Sequence, residues 1–176
     1  LIHRRARRSA QPLGVMTPSS QAPGSIEESW VRDYLRPRYP ELVAPYLEAL
    51  QITEKGKRKG ELSQAALDML LVHAKSRRTP LGENVAGMLG SLYEVHSHVG
   101  EAIRALASGA SVHERINALV ALDSCSTADL HVELFAAALT DRSARVRALA
   151  ADKIVGHGIG ALREQLEAAA RYADTL

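Results

Sequence analysis

The stretch Arg115-Ile-Asn-Ala-Leu-Val-Ala-Leu122 is matched 32 residues later by Arg147-Ala-Leu-Ala-Ala-Asp-Lys-Ile154. Arginine, alanine and an aliphatic residue recur in the same order, with Arg115, Ala118 and Leu122 aligned to Arg147, Ala150 and Ile154. The match continues farther on, where Leu130, Leu134, Ala136, Ala137 and Ala138 align with Leu162, Leu166, Ala168, Ala169 and Ala170. A period of this size, with two helix-like patterns in each repeat, is typical of a helical solenoid.

The composition indicates an all-α protein. Apolar residues make up 46% of the chain but aromatic residues only 4%, so that much of the apolar content is alanine and leucine. These two residues are among the best helix formers, whereas a β-sandwich needs more β-branched and aromatic side chains.

The charge balance does not favour a dedicated nucleic-acid binder. The formal net charge is +2, but four arginines, Arg4, Arg5, Arg7 and Arg8, lie in the first eight residues. Without them, 18 basic residues face 20 acidic ones, whereas nucleic-acid-binding domains usually carry a large positive excess. Because residues 1–24 contain few apolar side chains, we expect a disordered basic tail there.

The 176 residues suit one domain, predicted over residues 25–176. Within it, residues 25–52 are predicted to form a pair of capping helices, which begins with a capping box at Ser25 and Glu28. A basic loop is predicted over residues 53–60, followed by degenerate repeats over 61–107. Two clearer repeats occupy 109–173, and the first of them begins with a second capping box at Ser111 and Glu114.

The segment from Leu139 to Ile154 resembles the first helix of a HEAT repeat. That family's pattern has an Asp in the turn, Val-Arg about five residues later, and a small residue three positions further on. Asp141, Val146, Arg147 and Ala150 occupy those places. The preceding unit is a degraded copy that keeps the arginine and the small residue but has Gly109 for the Asp and Glu114 for the Val. The resemblance covers residues 109–173, is faint over 61–107 and is absent from 25–52.

This resemblance implies a short right-handed α-α superhelix of stacked antiparallel helix pairs with an extended surface for a partner. The Asp of the pattern can cap the helix, and the Val enters the core between helices. The Arg can bridge to a turn carboxylate or to carbonyl groups of the neighbouring repeat. A structural role is therefore expected for Asp141 and Arg147, rather than contact with a ligand.

No catalytic, metal or cofactor site is predicted. His96 and His98 point about 200° apart if they lie on a helix, so they cannot bind one metal ion there. Cys125, the single cysteine, is expected to be a buried or incidental thiol because no base or acid stands near it in sequence. The Gly-His-Gly-Ile-Gly run at 156–160 follows no strand, so it indicates a turn rather than a phosphate loop.

The leading hypothesis is a non-enzymatic protein–protein interaction module, such as an adaptor, an assembly factor or an inhibitor. The predicted partner surface is the face of the second helices of the repeats. Four residues are assigned to it: His131, Glu133, Arg163 and Glu167.

The alternative hypothesis is a nucleic-acid-binding HEAT-like protein related to DNA alkylation repair. Its support is three basic clusters, which would have to converge on one surface. The residues assigned to it are Lys55, Lys57, Arg58, Lys59, Arg77, Arg78, Arg142 and Arg145. Stacking aromatic residues do not accompany these clusters, which weakens the hypothesis.

The sequence predicts a cytoplasmic monomer that does not cross a membrane. No stretch reaches the roughly 18 consecutive apolar residues of a membrane span. A single cysteine cannot form an internal disulfide, which fits a reducing compartment.

Two equivalent leucines of the second helices should be buried, namely Leu134 and Leu166. Leu134→Ala is therefore expected to lower the free energy of unfolding by about 2–5 kcal/mol, because truncation leaves a cavity in the core. Thermal and urea denaturation measure this loss. An unchanged melting temperature would remove this helix face from the core.

Overall fold

The computed structural model describes residues 29–126 and 128–173, and within these ranges every regular element is a helix. The predicted all-α class is thus confirmed. A π-helical turn, Val31–Leu35, continues into the short helix α1 (Arg36–Arg38). A 3-10 turn at Pro40–Leu42 precedes α2, and another at Gly160–Leu162 precedes α9. The longer helices are α2 (Val43–Lys59), α3 (Gln64–Ala74), α4 (Thr79–Tyr93), α5 (Val99–Ala107), α6 (Val112–Asp123), α7 (Ala128–Leu139), α8 (Ala144–Gly156) and α9 (Arg163–Ala173).

Two of the sequence predictions, the tail over residues 1–24 and the capping box at Ser25 and Glu28, lie outside the described residues. The second capping box is confirmed. The Ser111 hydroxyl accepts a hydrogen bond from the Glu114 N–H at 3.1 Å, and the Glu114 carboxylate accepts one from the Ser111 N–H at 3.0 Å. These two bonds satisfy donors that a helix start leaves free, which fixes the beginning of α6.

The predicted loop over residues 53–60 is wrong, because α2 continues through it to Lys59. Lysine and arginine are good helix formers, and positive charge near a helix C-terminus is favourable. Gly56 is tolerated within the helix because it allows close packing, since a Cβ there would lie 2.8 Å from Leu92 Cδ2. The helix ends at Gly60, whose φ of 66° is the left-handed conformation common at this position.

The helices contact one another in a regular order. In one series, α2 contacts α4, α4 contacts α6, and α6 contacts α8. In the other series, α3 contacts α5, α5 contacts α7, and α7 contacts α9. The two series are joined because α3 packs on α4, α5 on α6, and α7 on α8. Each helix therefore packs mainly against helices near it in sequence.

One continuous apolar cluster runs from Val31 to Leu162 and joins both series of helices. Leu134 belongs to it and is only 6% exposed, as predicted. Leu166 is half-buried, so its predicted burial is wrong. Leu166 stays partly exposed because α9 is the last described helix of its series, and among the described residues no further helix packs over it. The fully buried large residues of the apolar cluster include Leu35, Leu70, Leu89, Leu92, Ile103, Leu106, Leu122 and Phe135.

Gly90 of α4 lies close against the backbone of α6. A Cβ at Gly90 would lie 1.9 Å from the Ala121 carbonyl oxygen, a distance that no side chain can adopt. Nearby, the buried Asn117 side chain donates to the Ala74 carbonyl oxygen at 2.7 Å. The absence of a side chain at Gly90 therefore allows α4 and α6 to approach closely. The hydrogen bond from Asn117 gives the last carbonyl group of α3 a partner.

Across the described residues, no helix combines the length and the apolar character that crossing a membrane would require.

Gly90→Ala is expected to destabilise the protein by about 1–3 kcal/mol, because the new methyl group forces α4 and α6 apart. This loss exceeds the gain of about 1 kcal/mol that alanine brings to a helix interior. Gly156→Ala is the matched control, since Gly156 is a helical residue with open space around its Cβ position. Urea denaturation of both variants tests this. A Gly90→Ala variant as stable as Gly156→Ala would contradict the close packing.

Candidate functional site

Side-chain contacts join the turns of successive helix pairs into two rows. The first row contains the turns that precede α2, α4, α6 and α8, and the second row contains the turns that follow the same helices. In the first row, Arg142 Nη2 donates to the Ala110 carbonyl oxygen at 2.6 Å. In the second row, the Ser126 hydroxyl donates to the Glu94 carboxylate at 2.9 Å. Each bond spans about one repeat, so the rows hold neighbouring pairs in register.

The first row also contains a buried ion pair between Arg115 of α6 and Asp141 in the turn before α8. Arg115 Nε donates to Asp141 Oδ2 at 2.7 Å, and Nη2 donates to Oδ1 at 3.1 Å. The two side chains are only 7% and 11% exposed. Arg115 Nη1 also donates to the carbonyl oxygens of Gly109 and Ala110 in its own turn. One guanidinium thus binds two successive turns. The pattern predicted the bond to a carboxylate of a neighbouring turn but not the bonds to carbonyl groups of its own turn.

Asp141 is held in its charged form. Burial alone would raise the pKa of its carboxyl group, but the hydrogen bonds from Arg115 and the Ser143 N–H outweigh this effect. The positive charges of Arg115 and Arg142 act in the same direction, so the pKa lies below its usual value. Asp141 does not cap α8 directly, because its Oδ1 accepts from the N–H of Ser143, the residue just before the helix.

Arg147 holds the position in α8 that Arg115 holds in α6, 32 residues earlier. Its Nη1 donates to the Asp141 carbonyl oxygen at 2.7 Å, just as Arg115 binds the carbonyl groups of its own turn. Among residues 29–126 and 128–173, however, Arg147 forms no ion pair. Among the described residues, no carboxylate of a following turn therefore completes at Arg147 the arrangement seen at Arg115.

An apolar groove of about 800 Å³ lies beside Arg147, between α7, α8 and α9. Ala148 and Ala151 of α8 lie in it and are exposed and half-buried, respectively. At the equivalent positions of α6, Ile116 and Leu119 are buried. The apolar part of the lining consists of alanines and two leucines: Ala136, Leu139, Ala144, Ala148, Ala151, Leu166, Ala168, Ala169 and Ala170.

A second cavity, of about 710 Å³, lies at the second row and is more polar. Cys125 Sγ lies 3.3 Å from His131 Nε2, and the same nitrogen lies 2.9 Å from the Leu122 carbonyl oxygen. A carbonyl oxygen only accepts, so His131 Nε2 carries the proton. That nitrogen therefore has no lone pair with which to deprotonate Cys125, whose side chain is buried.

The carboxylates at the second cavity are engaged with their neighbours. Asp123 accepts from His157 at 2.8 Å and forms a close ion pair with Lys153. Glu94 accepts from the N–H and the hydroxyl of Ser126, and these bonds hold the pKa of Glu94 below its usual value. These contacts connect the turn of one helix pair to that of the next, which is a structural role. No set of three potential metal ligands stands together in the part of the chain that the structure describes.

The four residues predicted for a partner surface do not form one cluster. His131 is 8% exposed and packs against Phe135 and His157, so its ring belongs to the interior. Glu133 pairs with Arg104 of α5, and Arg163 pairs with Glu167 one turn along α9. The last two side chains are well exposed, but over the described ranges no bond links them to Glu133.

The basic clusters divide between the two rows. Lys55, Lys57, Arg58 and Lys59 occupy the last turns of α2, which the His96–Gly56 contact places at the second row. The first row holds the other four residues, Arg77, Arg78, Arg142 and Arg145. Arg78 pairs there with Glu41 at 3.7 Å, and Arg58 pairs with Glu54 on its own helix. This division does not favour the single basic surface that the nucleic-acid hypothesis requires.

The groove and the polar contacts of the second row were not predicted from the sequence. The 32-residue offset carried a signal for the groove, since it places Ala148 and Ala151 where α6 has Ile116 and Leu119. No comparable signal existed for the Cys125–His131 contact, which depends on how α7 packs after its turn.

Comparison with protein-family models gives no match for this sequence. Neither the curated proteins nor the solved structures include a similar protein at the threshold applied. The HEAT-repeat resemblance therefore rests on the residues of the 109–173 segment alone.

Asp141→Asn is expected to destabilise the protein by about 1–3 kcal/mol at neutral pH, because it leaves the buried Arg115 guanidinium without its counter-charge. The difference from the unaltered protein should shrink as the pH falls through the pKa of Asp141. A carboxyl group whose pKa is lowered by folding stabilises the protein above its unfolded pKa and loses that effect below its folded pKa. Urea denaturation between pH 7 and pH 3 measures the loss of stability and its dependence on pH.

Asp152→Asn is the matched control for this substitution, since Asp152 is an exposed residue of α8, the helix that follows Asp141. Its effect should stay within about 0.5 kcal/mol at every pH. If the two variants were equally stable at pH 7, the Arg115–Asp141 pair would contribute nothing to the fold.

Proposed function

We propose that this chain is a non-enzymatic protein-interaction module. In this proposal its helix pairs form a short, right-handed, HEAT-like superhelix, and the groove between α7, α8 and α9 binds a helical segment of another protein. The alternating series of helix contacts supports the stacked arrangement. The single observation that carries the function is the apolar groove, which is large enough for several side chains and is lined mainly by alanine.

The shape and chemistry of the groove favour a helix as its occupant. Alanine side chains let a helix approach closely, and the bulky side chains that would fill the groove must come from the partner. The equivalent positions in α6 are filled by Ile116 and Leu119, which are buried. An apolar stripe on the partner would cover Ala148 and Ala151 in the same manner, which is the helix-in-groove mode of recognition.

The polar cavity supports an enzymatic role less well. Cys125 is buried, His131 Nε2 donates to a carbonyl group, and Asp123 is paired. A catalytic site needs a nucleophile or base directed at open space, whereas each of these groups contacts a neighbouring protein group.

The proposal predicts that a photo-crosslinking residue at position 148 captures a protein partner in the native cell, whereas one at position 105 does not. Ala105 is an exposed alanine of α5 and therefore serves as the matched site. The captured protein is then purified, and its affinity for this chain is measured by calorimetry. Ala148→Glu should weaken binding at least tenfold, because it places an unpaired carboxylate in an apolar interface.

Ala105→Glu should leave that affinity unchanged. The proposal fails if position 148 captures no protein, or if Ala148→Glu and Ala105→Glu bind the purified partner equally well. Circular dichroism of both variants verifies that the helices are intact.

A further inference from the structure

We infer that the occupant of the groove is a helix preceded by a turn carboxylate, and that this carboxylate pairs with Arg147. The inference rests on the proposed function and specifies the chemistry of the partner. It follows from comparing the two arginines that the 32-residue repeat places at equivalent positions.

Arg115 shows what a complete arrangement contains. One edge of its guanidinium binds the carbonyl groups of Gly109 and Ala110 in the turn before its own helix. The remaining nitrogens bind both oxygens of Asp141, which stands in the turn before the next helix of the series. Arginine suits this role because its planar fork matches a carboxylate with two parallel hydrogen bonds.

Arg147 shows the same arrangement half occupied. Its Nη1 binds the Asp141 carbonyl oxygen in the turn before α8, which is the counterpart of the Arg115–Gly109 bond. Within the described ranges, it has neither a second side-chain hydrogen bond nor a carboxylate partner. The charge of the neighbouring Asp141 is already balanced by Arg115, so Arg147 leaves this end of the groove positive. Charge complementarity therefore favours an acidic residue on the occupant.

The position of α8 indicates how the occupant would lie. α8 contacts α6 and α7, and the groove offers the corresponding surfaces of α8 and α9. In α8, the carboxylate of Asp141 is followed by buried residues five, nine and thirteen positions later, namely Val146, Ala150 and Ile154. The occupant is thus an amphipathic helix with apolar residues four apart and an Asp about five residues before the first of them.

The test uses a synthetic peptide with the sequence of residues 139–156, labelled with fluorescein and stapled through positions 148 and 152. The staple is needed because isolated helices of this length are marginal in water. Positions 148 and 152 are exposed in α8, so the staple avoids the buried stripe. Fluorescence anisotropy measures its affinity for the full chain. The peptide should bind, and its Asp141→Asn version should bind about tenfold more weakly.

Variants of the protein assign this difference to Arg147. With Arg147→Met, the Asp and Asn peptides should bind equally, whereas with Arg145→Met the tenfold difference should persist. Arg145 is an exposed arginine of the same helix and does not line the groove. The Asp and Asn peptides are also compared on the unaltered protein, so this comparison remains valid even if the Arg147→Met variant is unstable.

The inference is overturned if the Asp peptide does not bind, if both peptides bind the unaltered protein equally, or if Arg147→Met retains the tenfold difference. It is also overturned if the chain forms a dimer that Ala148→Glu dissociates, because the groove then belongs to a second copy. None of the peptide results decides the proposed function, which is judged separately by crosslinking at position 148.

Discussion

The ion pair between Arg115 and Asp141 joins two successive helix pairs at a point where almost no water reaches them. Its value lies in geometry more than in net energy, since removing two charges from water costs much of what their attraction returns. The guanidinium binds the carbonyl groups of its own turn and the carboxylate of the next, so it fixes the distance between the two turns. The orientation of α8 relative to α6, and hence the position of the groove, depends on this contact.

Close backbone contact provides the second constraint. Gly90 lets α4 reach the carbonyl group of Ala121, and Asn117 satisfies the last carbonyl group of α3 in the same region. Packing of this kind leaves no room for adjustment, because protein interiors transmit a shift at one contact to its neighbours. Close packing thus holds α4 against α6, whereas at α8 and α9 alanine lines an open groove and Leu166 is half-buried.

Much of this architecture could be predicted from the sequence because it depends on local patterns. Ser111 and Glu114 predicted the start of α6, and the 32-residue match identified Arg115 and Arg147 as equivalent. The basic segment over residues 53–60 misled because Gly56 and Gly60 both indicate a turn, whereas packing against Leu92 keeps Gly56 helical. The burial of His131 could not be predicted from the sequence, since it depends on contacts with the Leu122 carbonyl group of α6 and with the His157 ring after α8.

If the Arg115–Asp141 ion pair fixes the two turns, the two side chains must show a measurable coupling free energy. A double-mutant cycle with Arg115→Met and Asp141→Leu, followed by urea denaturation, measures it without contributions from the single substitutions. The exposed pair of Arg104 and Glu133 serves as the reference. We predict a coupling above about 1 kcal/mol for the buried pair, larger than that of the reference pair. A coupling near zero, or one no larger than that of the exposed pair, would show that the two turns are not held together by this contact.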